Sequence, residues 1–99
     1  MFTLETIFAP SPQILSRLVE HEAVLVLPEQ GKVKVLNEVG ARIWTLTDGK
    51  LSVAEIARSI CAEFAVDQLT AEADTLAFLT DLAARGIVVE RDLSHPPSA

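Results

Sequence analysis

Residues 32–49 read KVKVLNEVGARIWTLTDG. The opening alternates, Lys32-Val33-Lys34-Val35, which is the period of a strand. Asn37 breaks that period, and Val39, Ile43 and Leu46 then recur at helical spacing up to the Asp48-Gly49 turn. A strand therefore runs into a short helix with almost no linker. The strand needs a hydrogen-bonded neighbour, and the helix needs a surface to cover. The residues before this stretch read as the rest of a sheet, and those after it as a helical cover.

Upstream, residues 23–27 (AVLVL) form a short, apolar, β-branched run that reads as a strand. Pro28-Glu29-Gln30-Gly31 turns the chain back, Pro presetting φ at about −65° and Gly able to take positive φ. Residues 14–20 form a weaker first strand that ends in the polar turn Glu20-His21-Glu22. The three strands make an antiparallel meander with one buried face. Val33 and Val35 point to one side and Lys32 and Lys34 to the other. Residues 1–13, with Pro10 and Pro12, read as an arm outside the domain, either mobile or laid over a groove or a partner.

Downstream, Asn37 is a good N-cap, and Glu38 suits the positive end of the helix dipole. Gly40 inside this helix costs about 1 kcal/mol against Ala, which points to a close approach by a strand or by the neighbours of Trp44. Ser52-Val53-Ala54-Glu55 is a capping box, with Leu51 and Ile56 at the staple positions. Val53, Ile56, Ala57, Ile60, Cys61 and Phe64 continue as one apolar stripe. Thr70 is read as the cap of a third helix over residues 71–85. Leu76, Leu79, Leu82 and Ala83 form its inner face, widened by Thr75 and Phe78. Gly86 stops it, and Ile87-Val88-Val89 returns as a strand or wing before a polar tail, residues 91–99. The element order predicts one α+β domain over residues 14–90, of the winged helix-turn-helix kind, with three antiparallel strands followed by three helices.

Composition excludes several classes of function. The formal net charge is −6, and the eight Lys and Arg residues form no basic face, so nucleic-acid binding is disfavoured. No apolar run reaches the roughly 18 residues of a membrane span. Cys61, His21 and His95 lack metal-ligand spacing, so no metal and no cofactor is expected. A single cysteine suits the reducing cytoplasm. There is no phosphate loop, nucleophile elbow or catalytic set of Ser, His and Asp; no residue is assigned a catalytic role. Glu72 and Asp74, two apart on a helix, do not face each other.

What remains is a binding module, and the third strand is its candidate surface. In a meander the outer strands are edges, whose unpaired N–H and C=O groups another extended chain can satisfy. Lys32 and Lys34 also read as a device that blunts such an edge against aggregation. Phe78, off the centre of its helical stripe, reads either as core or as one wall of a groove beside a strand.

Several segments resemble the PqqD family, the pyrroloquinoline quinone synthesis protein D type of peptide chaperone, also called the RiPP recognition element. They are Leu36-Asn37-Glu38-Val39-Gly40-Ala41-Arg42-Ile43-Trp44, Asp48-Gly49, the helix of residues 52–64, Asp74-Thr75-Leu76-Ala77-Phe78-Leu79, and Leu82-Ala83-Ala84-Arg85-Gly86-Ile87. The resemblance covers about residues 17–89. It implies a non-catalytic protein that binds the leader of a ribosomally made precursor peptide and presents it to a modifying enzyme, often a radical SAM protein. The leader would add as a strand to Lys32, Val33, Lys34, Val35 and Leu36, and pack against Asp74, Thr75, Phe78, Leu79 and Leu82 of the third helix. The two lysines suggest an acidic leader. A homodimer through the arm or the strand edge stays open. The alternative, a winged-helix DNA-binding transcriptional regulator, would require a basic recognition helix. The third helix carries Glu72, Asp74 and Asp81 against Arg85 alone.

Overall fold

A computed structural model of the chain describes residues 2–91. Strands β1 (Phe8–Pro10), β2 (Leu15–Val19), β3 (Glu22–Leu27) and β4 (Lys32–Leu36) precede helices α1 (Glu38–Leu46), α2 (Val53–Phe64) and α3 (Gln68–Ala84). A last strand, β5 (Val88–Glu90), follows. β2, β3 and β4 form an antiparallel sheet in that order, and β1 pairs with β5 in a separate two-stranded sheet. The expected α+β architecture is therefore present: a three-stranded meander followed by three helices. Of the expected tail, residues 91–99, all but Arg91 lies outside the described residues.

Four details add to the sequence reading or differ from it. The first is the polarity of β4, which the alternation left open. The register sets Lys32 opposite Leu27, Lys34 opposite Leu25 and Leu36 opposite Ala23. Those β3 partners are buried, so the lysines stand on the core side and Val33 and Val35 face outward, 62% and 59% exposed. The alternation was legible; its direction was not, because on an edge strand the neighbour's register decides which face is inside. Lysine tolerates such a position because its long stem lies on apolar surface while the ammonium stays in water.

The second difference is the N-terminal arm, which is part of the fold. Phe8 is 1% exposed and its ring meets Phe2 edge-on, with centroids 4.9 Å apart. The arm also completes α2. The first backbone N–H groups of a helix have no partner within it. Val53 donates to the Thr6 carbonyl at 3.0 Å and Ala54 to the Leu4 carbonyl at 2.9 Å. Ser52 Oγ accepts from the Glu55 N–H at 3.2 Å, and Glu55 Oε1 accepts from the Ser52 N–H at 2.9 Å, which is the predicted capping box. Three-residue strands carry too little periodicity to be seen in sequence, which is why both β1 and its role were missed.

The third is the start of α3. It begins at Gln68 with Asp67 as N-cap, not at Ala71 after Thr70. Asp67 Oδ2 accepts from the Thr70 N–H at 3.0 Å, and the Thr70 hydroxyl donates to Oδ1 at 2.7 Å. Those two bonds stabilise the charged form and hold the Asp67 carboxyl below the usual carboxylate range. At the other end Gly86, at φ +74°, allows the expected stop. Its N–H donates to the Ala83 carbonyl and that of Ile87 to the Leu82 carbonyl, a Schellman pattern.

The fourth is the inner face of α3. Ala71, Thr75, Leu79 and Leu82 are its buried residues, while Leu76, Phe78 and Ala83 are only partly buried. The core is thus the inner face of β3, Leu36, and the facing sides of the three helices, closed by Phe8, Ile87 and Val88.

Candidate functional site

The sheet ends at β4, whose outer edge pairs with no other strand among the described residues. Alongside it a groove of about 310 Å³ runs between β4, the start of α1 and the middle of α3. Leu36, Gly40 and Ile43 are buried and form its floor. Phe78 supplies a half-buried aromatic wall, Val39 an exposed apolar shoulder, and Lys34 and Asp74 the charged rim. Neither rim residue takes part in the ion pairs found among the described residues, Arg42–Glu63 and Arg85–Asp81.

Local sequence explains how this groove is held open. Asn37 Oδ1 accepts from the Gly40 N–H at 2.9 Å, so the cap fixes the first turn of α1 directly beside the strand end. The Phe78 ring then lies on Gly40: a Cβ there would stand 3.3 Å from Phe78 Cζ. The close approach inferred from this glycine is real, and the neighbour is the α3 aromatic, not a strand or the surroundings of Trp44.

Of the residues predicted to meet a peptide, Lys34, Val35, Leu36, Asp74 and Phe78 are brought together around the groove. Lys32 and Val33 lie further along the same exposed edge. Thr75, Leu79 and Leu82 do not reach it; each is 0% exposed and sits in the core. The Thr75 hydroxyl has no hydrogen-bond partner among the described residues. Asn37, Val39, Gly40 and Ile43 are groove residues that the sequence reading left out of the site. Gly40 carried a usable signal, since a glycine inside a helix marks close packing. Leu79 and Leu82 share one helix with Phe78, and spacing alone did not separate lining from support.

A second groove, about 280 Å³, lies toward β2, with Glu20, His21, Glu38 and the Arg42–Glu63 pair on its walls. It is bounded by α1 and α2 and has no wall from α3. Among the described residues no group of His, Cys, Asp and Glu is placed to hold a metal ion. No helix there is long and apolar enough to cross a membrane.

The profile of the family described as coenzyme PQQ synthesis protein D (PqqD) matches residues 22–88. The chain belongs to the PqqD family. The match takes in β4, the start of α1 and all of α3, hence every wall of the β4 groove, and leaves out β1. Solved structures agree. The PqqD-family chain is similar to a protein described as TbiB1 in complex with the TbiA(beta) leader peptide, at 35% identity and TM-score 0.75, over 81% of this chain and 93% of that one. It is similar to a lasso peptide synthetase B1 complexed with its leader peptide, at 27% identity and TM-score 0.75, over 83% and 96%. It also shares its fold with the PqqD truncation of Methylobacterium extorquens PqqCD, a stand-alone RiPP recognition element, at 24% identity and TM-score 0.75, over 90% and 95%. A search among curated proteins found no significant relative.

Proposed function

We propose that this chain is a non-catalytic module that binds the leader of a ribosomally made precursor peptide by strand addition at β4. The observation that carries the reading is the pairing of an unoccupied strand edge with an apolar groove on its flank. An incoming extended segment would satisfy the outward-pointing backbone groups along Lys32, Val33, Lys34, Val35 and Leu36, which fall at alternate residues because the others pair with β3. Its alternate side chains would enter the groove against Phe78, Gly40 and Val39, with Lys34 and Asp74 selecting charge at the rim. Ordering such a segment costs about 2–5 kcal/mol, so the groove contacts must outweigh that loss. The leader complexes of the two B1 relatives support the same reading.

The partner is an enzyme that modifies the held peptide, of radical SAM or another class, in the cytoplasm. A homodimer through the β4 edge would compete with the peptide for the same backbone groups. The DNA-binding alternative has little to support it: Glu72, Asp74 and Asp81 give α3 an acidic character that phosphate would repel.

Titration of isotopically labelled protein with the leader of a candidate precursor, a short reading frame sought beside the gene for this chain, tests the proposal. Amides of β4 and of Gly40 shift first, and Phe78→Ala weakens binding about tenfold or more. Saturation without change at β4 would remove the proposal. Comparing an acidic leader with one whose carboxylates are neutralised tests the role of Lys34: equal affinity would discard charge selection.

A further inference from the structure

The outer face of the three-stranded sheet is apolar where a solvated face would be polar. The register aligns Leu15, Val26 and Val33 in one row across the strands, and Arg17, Val24 and Val35 in the next. Leu15, Val33 and Val35 are each about 60% exposed, and Val24 and Val26 are half-buried. Arg17 is the only charge in these two rows. Of these residues only Val35, at the strand edge, also borders the β4 groove; the other five line neither groove, and the face is opposite the one on which Leu25, Leu27 and Leu36 are buried.

We infer that this face, once widened by a peptide strand added at β4, is the docking surface for the enzyme that acts on that peptide. The inference rests on the proposed strand addition. The bare face presents on the order of 400 Å² of apolar surface, a size often functional on monomers. That is about half of the roughly 800 Å² per partner in a stable interface, so two copies stacked face to face fall short. Val33 and Val35 belong both to this face and to the edge. A strand added beside them lies about 4.8 Å further out, and every second side chain of it continues both rows. The occupant that gains most is one that touches sheet and peptide together. With a single cation in the rows and a net charge of −6, the face does not attract an anionic polymer or lipid surface. The enzyme therefore meets it through an uncharged apolar patch, and binds the loaded chain in preference to the empty one. Linkage requires the converse: the enzyme tightens leader binding by the same factor.

The test uses the full chain with a candidate leader and a candidate maturation enzyme, both sought among the reading frames beside its gene. Enzyme affinity is measured by interferometry with and without saturating leader. Leu15→Asp, on the strand furthest from β4, and the shape-conserving Val26→Thr are compared with the wild-type chain. The expected result is enzyme binding at least about tenfold tighter with leader present. Leu15→Asp loses that gain, Val26→Thr reduces it, and both keep leader affinity within about twofold. Enzyme binding that ignores the leader, or is untouched by Leu15→Asp while leader binding is normal, overturns the inference alone. Failure of the leader to bind the wild-type chain removes the strand-addition reading and this inference with it. Sedimentation of the free chain supplies the remaining outcome: a dimer that Leu15→Asp dissolves would give the face to a second copy.

Discussion

Gly40 and Phe78 work as a pair. Replacing a helical glycine by alanine ordinarily stabilises by about 1 kcal/mol. Here the new Cβ would stand 3.3 Å from both Asn37 Oδ1 and Phe78 Cζ, and the half-exposed ring is the neighbour free to yield. Gly40→Ala is expected to leave the melting temperature nearly unchanged, propensity offsetting crowding, while displacing the ring and weakening leader binding several-fold. Calorimetry and a fluorescence titration on the same samples check both halves. Thr75 gives the opposite signature. Its hydroxyl is buried without a partner, and an unsatisfied buried group costs about 1–3 kcal/mol. Thr75→Val removes that group at nearly constant shape, so urea unfolding should show stability equal to or about 1 kcal/mol above wild type. Leader affinity should not change, because residue 75 lies in the core. A large loss of affinity would instead make the hydroxyl part of the site.

At the scale of elements, the short N-terminal segment has effects out of proportion to its length. β1 joins β5, and the residues before it supply acceptors to the start of α2, so three parts of the chain meet there. Phe8 is 1% exposed, and truncating such a phenylalanine costs about 3–5 kcal/mol. Against a total of about 5–15 kcal/mol, Phe8→Ala should lower the denaturant midpoint severely, as an expendable arm would not. α3 carries a pH-dependent cap. The Asp67 carboxyl is held low in the folded chain by the Thr70 hydroxyl and N–H. A carboxylate depressed on folding contributes stability above its unfolded pKa, about 3.9, and loses it as pH falls through the folded value. Asn caps as well as Asp but does not titrate. Asp67→Asn should therefore lose less stability than wild type as pH falls below about 4, measured by chemical denaturation at each pH. The Asp48 carboxyl, held low by the Lys50 and Leu51 N–H groups, adds the same sign in both proteins.

For the molecule as a whole, the sheet is polarised: β3 is paired on both sides, and β2 and β4 on one side each among the described residues. Native-state hydrogen exchange should find β3 amides among the slowest, and the outward-pointing amides of β4 among the fast ones. Adding leader should slow the β4 set and leave the outward amides of β2 unchanged. Slowing at β2 instead would move the peptide to the other edge. On the proposed reading the sheet also separates two tasks. Its β4 edge and inner flank face the α3 groove, and its outer face is free for a larger partner.

Much of this molecule was legible in local chemistry. Alternation marked the strands, Pro28 and Gly31 the turn, and Asn37 and Ser52 the helix starts, because caps and turns depend on groups a few residues apart. The glycine at 40 announced close packing, and the edge position of β4 followed from the order of a meander. What faces what did not follow. The outward turn of Val33 and Val35, the burial of Thr75, Leu79 and Leu82 behind Phe78, and the insertion of Phe8 were decided only by tertiary structure. Each depends on residues distant in the chain: the buried face of β3 orients β4, and the strand formed near the C-terminal end gives Phe8 its place. Local periodicity records that a segment has two faces; only the packed neighbours choose which of them is inside.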